Sequence, residues 1–193
     1  EARYENLRGH SSRVHDLALR IASTLALSPT AQETVAYTGL LHDLGALEEY
    51  ERLFGSHRQL TDEERMALRQ RTCAGVRGLL ERAQLPEVAE AVYRLNEYWD
   101  GSGLPEGLAG ESIPLASRIV ALANAFDALT HSRPHRRAYG PEDAAQIIRD
   151  RAGHQFDPAV VSAFTQAAGI EVGEALEPTS GHGDGEEATG TTG

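Results

Sequence analysis

His42 and Asp43 are adjacent and carry the two donor types that ligate divalent first-row ions, an imidazole nitrogen and a carboxylate oxygen. Such a carboxylate can also bridge two ions, which stabilises both oxygens of a phosphoryl displacement. The dipeptide alone is a weak signal, because a histidine at a helix end also has a structural use. Its surroundings narrow the reading. His10 begins one helical pattern and His42 ends the next, so antiparallel packing can bring the imidazoles together. Further along, Asp100-Gly101-Ser102-Gly103-Leu104-Pro105 forms a tight, glycine-rich loop, expected beside the doublet.

The elements that must position these residues read as helices. Val14, Leu17, Ala18, Ile21, Ala22 and Leu25 recur at helical spacing, predicting a helix from His10 to about Leu27. Ser28-Pro29 reads as a cap with proline at the first helical position. That second helix runs through Val35 and Leu40-Leu41 to Gly45, with the doublet in its last turn. Thr61-Asp62-Glu63-Glu64 is a capping box for a helix through Met66 to about Ala83. Pro86 starts another, carrying Val88, Val92 and Leu95. After the glycine-rich stretch, Pro114 opens an apolar helix through Ile119, Leu122, Phe126 and Leu129, broken at Arg133-Pro134. Shorter helices follow from about Glu142 and from Pro158.

Composition agrees. Aliphatic residues and alanine are plentiful and aromatics are 6%, which favours helices over sheets. A length of 193 residues suits one domain with a real core. We read an all-α domain over residues 5–168 and a disordered acidic tail over 169–193, rich in Gly, Thr and Glu. The net charge of −11 lies partly in that tail, where residues 171–193 hold six acids and no base. The body is mildly acidic, which argues against nonspecific nucleic-acid binding. All 18 basic residues counted as Lys or Arg are arginine, excluding Schiff-base lysine chemistry and a Walker-type phosphate lysine. Cys73 is the single cysteine and reads as a small buried residue. No run of eighteen apolar residues and no amino-terminal signal pattern is present, so no membrane association is expected and the cytoplasm is the expected compartment. The chain opens on Glu1 rather than Met, so we expect a piece of a longer protein.

The ordered motifs resemble the HD superfamily, and within it the HD-GYP family of cyclic dinucleotide phosphodiesterases. His10-Ser11-Ser12-Arg13-Val14 looks like the family's opening histidine segment, and Leu41-His42-Asp43-Leu44-Gly45 like its HD signature. Glu97-Tyr98-Trp99-Asp100-Gly101-Ser102-Gly103-Leu104-Pro105, with Ile113-Pro114-Leu115, is similar to the GYP region. Arg118-Ile119, Phe126-Asp127-Ala128-Leu129-Thr130 and Arg133-Pro134-His135-Arg136 match the segment after it. The resemblance implies a compact multi-helix HD-domain bundle and metal-assisted hydrolysis of a phosphodiester, with cyclic di-GMP as substrate. It places Asp43 as a residue that orients water, Arg133 and Arg136 on substrate phosphates, and the GYP loop in contacts with diguanylate cyclase-type domains.

Departures from the family pattern cluster at its metal positions. The resemblance implies a glutamate at Asn6, a lysine at Ala46, histidines at Arg71, Leu95 and Asn96, an aspartate at Asn124 and a tyrosine at Leu104. His10, His42 and Asp43 remain, with Asn124 offering a neutral amide oxygen. A multinuclear centre needs several carboxylates to offset its charge, and an arginine at position 71 repels a cation. The expectation is one weakly held ion (Fe, Mn or Zn) on His10, His42, Asp43 and Asn124, with hydrolysis lost or weak. Function then rests on binding a nucleotide or a protein. The alternatives are a residual one-metal phosphodiesterase and a purely structural helical module.

Overall fold

The computed structural model describes residues 9–44, 61, 74–132 and 137–170. These form helices α1 (His10–Thr24), α2 (Pro29–Leu41), α3 (74–82), α4 (Pro86–Tyr93), α5 (Leu115–Thr130), α6 (Pro141–Arg149) and α7 (Pro158–Ala168), with a 3₁₀ turn at Gly110–Ser112. Among the described residues no strand forms; two isolated bridges, Asp100–Ala109 and Ala152–Phe156, are the only β pairing. The predicted tail beyond residue 170, the capping box from Asp62 on and Cys73 lie outside the described residues.

α1 sits at the centre, against α2, α5 and α7. Its spaced apolar residues do what their period predicts: Val14, Ala18, Ile21 and Ala22 are fully buried. They meet Ile119, Val120 and Leu122 of α5, Ile148 of α6, and Val160 and Phe164 of α7 in the main core. A smaller cluster joins α3 to α4 through Val76, Leu80, Val88 and Val92.

α1 stops earlier than its apolar pattern suggests. Ala26 is left-handed at φ 52°, its N–H donates to the Ser23 carbonyl, and the Leu27 N–H reaches the Ala22 carbonyl at 3.1 Å. That pair of bonds is a Schellman cap, so Leu25 and Leu27 continue the apolar face outside the helix. α3 ends the same way at Gln84, φ 61°, with Leu85 N–H on the Leu80 carbonyl. α2 begins as predicted: the Ser28 hydroxyl accepts the Ala31 N–H, with Pro29 first in the helix. It ends at Leu41, so His42 is its C-cap and Asp43 lies in the following turn rather than within the helix.

Candidate metal centre

α1 and α2 bring the first and last residues of a helical hairpin together. Their close approach depends on Gly39, where an added Cβ would lie 3.0 Å from the His15 Cα. Gly39 also supplies its carbonyl to His42 Nδ1 at 2.8 Å. A carbonyl only accepts, so the proton is on Nδ1 and Nε2 is bare. A carboxylate likewise only accepts, so His10, whose Nδ1 lies 2.6 Å from Asp127 Oδ2, also carries a proton on Nδ1, and its Nε2 is bare once the ring is neutral. Both imidazoles are buried and both present Nε2 to one point.

At that point stands a triangle of donors. His10 Nε2 and His42 Nε2 are 3.2 Å apart, and Asp43 Oδ2 is 3.3 Å from the first and 3.5 Å from the second. Three ligands about 2.1 Å from one ion lie about 3.0 Å apart at right angles and about 3.4 Å apart at tetrahedral angles. The triangle therefore fits one first-row ion. Two nitrogens and one carboxylate oxygen suit Zn, Fe or Mn and leave coordination positions open, as catalytic rather than structural sites do. Asp43 is the exposed corner, with 37% of its side chain accessible.

Asp127 carries the buried charge behind the triangle. Beyond His10, its Oδ1 accepts from Arg13 Nε at 2.5 Å and its Oδ2 from Arg13 Nη2 at 3.2 Å. Burial pushes the His10 pKa down, but the bonds to Asp127 and Asp43 outweigh it and raise it to about 9 with no ion bound. Burial would raise Asp127, yet His10 and Arg13 hold it down at about 2. For His42, burial is the largest effect and lowers its pKa despite Asp43, so its ring stays neutral.

Of the four predicted ligands, His10, His42 and Asp43 converge. Asn124 is half-buried on α5, one turn before Asp127 and on the same face. Arg133, Arg136, Arg71, Asn6 and Ala46 lie outside the described residues. His131 and His15 are engaged elsewhere: His131 Nδ1 donates to the Asp127 carbonyl at 3.0 Å and His15 Nδ1 to the Ala36 carbonyl at 3.0 Å. Helical spacing alone does not mark Asp127 as a neighbour of these donors. The available signal was an acidic residue between Phe126 and Ala128 on an apolar helix, which must find partners if buried.

The glycine-rich segment is tied down by a second buried acid. Glu97 accepts the Glu106 N–H at 2.7 Å and the Leu108 N–H at 3.0 Å. Asp100 holds Ser102 through its backbone N–H at 2.9 Å and hydroxyl at 2.7 Å, and pairs with His154. Trp99 packs against the body, with the Arg118 guanidinium 5.6 Å from its ring. Arg118 lies nine residues before Asp127, roughly 13 Å along α5, so this anchor is at the other end of that helix from the triangle.

Residues 1–160 match the HD domain family. A cyclic di-GMP phosphodiesterase of Thermotoga maritima is 35% identical over 158 residues, covering 80% of this chain and 43% of that protein. A 3'3'-cGAMP-specific phosphodiesterase of Vibrio cholerae is 33% identical over 140 residues, covering 72% and 32%. The chain thus spans less than half the length of these curated relatives. A crystal structure of a cyclic GMP-AMP specific phosphodiesterase from V. cholerae superposes with a TM-score of 0.68 at 26% identity, covering 83% of this chain and 44% of that one. An HDG"Y"P protein of Bdellovibrio bacteriovorus shares the fold, with a TM-score of 0.61 at 19% identity over 83% of this chain and 51% of that one. With its helices, its His-Asp doublet and these matches in accord, the chain belongs to the HD domain family and is related to the cyclic dinucleotide phosphodiesterases of HD-GYP type.

Proposed function

We propose that this is a signalling domain that binds a cyclic dinucleotide, such as cyclic di-GMP, at a one-ion site, with hydrolysis lost or weak. The donor triangle carries the reading. It has the dimensions of a site for one ion, and Asp43 is its one carboxylate. Leu95 and Asn96 stand where the family resemblance implies two further histidines; leucine has no donor atom, and the neutral amide oxygen of asparagine is a poorer donor than imidazole to these ions. A bound ion supplies Lewis acidity to a phosphate oxygen or to water. His10 and His42 hold it as neutral donors, and Asp43, at the solvent edge, orients what enters. Arg133 and Arg136 grip the phosphates in bidentate fashion. The segment around half-buried Leu104, flanked by exposed Ser102 and Glu106, serves protein contacts, with a diguanylate cyclase-type domain as the partner class, in the cytoplasm. Among the described residues no helix is long and apolar enough to cross a membrane.

The experiment is metal analysis, calorimetry and turnover on one preparation. Protein purified without chelator is expected to hold about one equivalent of Fe, Mn or Zn and to lose it in His42→Ala and Asp43→Ala. Calorimetry with cyclic di-GMP is expected to give heat that Arg133→Ala diminishes. Turnover with added Mn is expected to be absent or slow. Absence of both metal and cyclic di-GMP binding would leave only a structural helical module.

A second reading is a one-ion phosphodiesterase acting on a cyclic di-GMP-like or smaller nucleotide. The open coordination positions of a three-donor site favour it. Sustained turnover of cyclic di-GMP or a generic phosphodiester, lost in Asp43→Ala, selects this reading over the first.

A further inference from the structure

We propose that Asp127, braced by Arg13, is the positioning residue that aims His10 Nε2 at the ion. The inference rests on the one-ion reading of the triangle and deepens it. An ionised carboxylate can only accept, so the 2.6 Å contact fixes the His10 proton on Nδ1 and leaves Nε2 facing His42 and Asp43. A carboxylate on the far nitrogen of a ligating histidine fixes both ring orientation and tautomer, and makes the near nitrogen a stronger donor.

Asp127 is itself held. Arg13 reaches both carboxylate oxygens, at 2.5 and 3.2 Å, and His131 Nδ1 lies 3.2 Å from Oδ1. His10 and Arg13 are three residues apart on α1, so one helix face delivers both the ligand and the brace. The Asp127 side chain is 7% exposed on a mostly apolar helix and is the only acid in it. Burying a carboxylate there is costly, and an apolar side chain would join α1 to α5 at least as well. Packing therefore does not account for Asp127, whereas orientation of His10 does.

Zinc affinity, by competition with a chromophoric chelator, and ring-nitrogen NMR of His10 test the assignment together. Asp127→Asn is expected to weaken zinc binding about 10- to 100-fold. Arg13→Ala, which leaves the His10–Asp127 bond in place, should weaken it less, with Arg13→Lys recovering part of the loss. Far-UV circular dichroism checks that each variant folds, and Arg13→Ala serves if Asp127→Asn does not. Wild-type His10 is expected to carry its proton on Nδ1, both zinc-loaded and in zinc-free protein at a pH where the ring is neutral. In Asp127→Leu the neutral ring should move toward the other tautomer. Zinc held equally by all variants, or a wild-type proton on Nε2, overturns this inference alone. Wild-type protein that binds no zinc overturns the one-ion reading and this assignment with it, whatever the tautomer.

Discussion

At the scale of single residues, the site is a set of proton positions as much as a set of ligands. With no ion bound, His10 keeps a proton up to about pH 9 and His42 is neutral. An ion must displace that one proton, so zinc affinity is expected to rise about tenfold per pH unit from pH 6 to 8 and to level off above about 9. Chelator competition across pH reads this slope, and a flat profile would contradict it. The same groups link pH to folding. His10 has a raised pKa, so its contribution is full below its ordinary value of 6.5 and is lost as pH rises through about 9. Asp127 has a depressed pKa, so its contribution is full above its ordinary value of 3.8 and is lost as pH falls toward about 2. Urea midpoints of the ion-free protein should therefore fall at both extremes, and Asp127→Asn should flatten both arms by removing the partner that shifts them.

At the scale of elements, backbone conformation and close approach matter more than propensity. Gly39 lets α2 lie against α1, and its carbonyl orients His42. Gly39→Ala should cost about 1–3 kcal/mol in urea unfolding and weaken zinc binding too, because the hairpin must open. Gly103 is under tighter constraint: an added Cβ would fall 2.1 Å from the Tyr98 amide nitrogen. Two caps run the other way. Ala26 and Gln84 occupy left-handed positions that favour glycine. Ala26→Gly is expected to raise stability by about 0.5–1 kcal/mol, measured by thermal or urea unfolding, with the site unchanged. Helix existence was legible from apolar spacing, but the ends of α1 and α3 were not. The spacing continues through Leu25 and Leu27 while the backbone has already turned.

At the scale of the whole molecule, the triangle draws on α1 and the end of α2, with α5 behind it. An ion that binds only the folded arrangement stabilises it by mass action. Zinc or manganese at a hundredfold excess over its dissociation constant should add about 2.7 kcal/mol. Calorimetric scanning should show a higher Tm for the wild type and little change for His42→Ala. The sequence by itself determined the helical class, the amphipathic α1 and the cap at Ser28-Pro29, because each of these follows from residue type and short-range spacing; it offered His10, His42 and Asp43 as candidate donors through their types and the family resemblance. Tertiary structure alone decided which nitrogen of each histidine faces the others, how far apart the three donors lie, and that Asp127, 117 residues from His10, stands behind it. Those facts depend on how helices distant in sequence pack, and a one-dimensional period contains no distance between them.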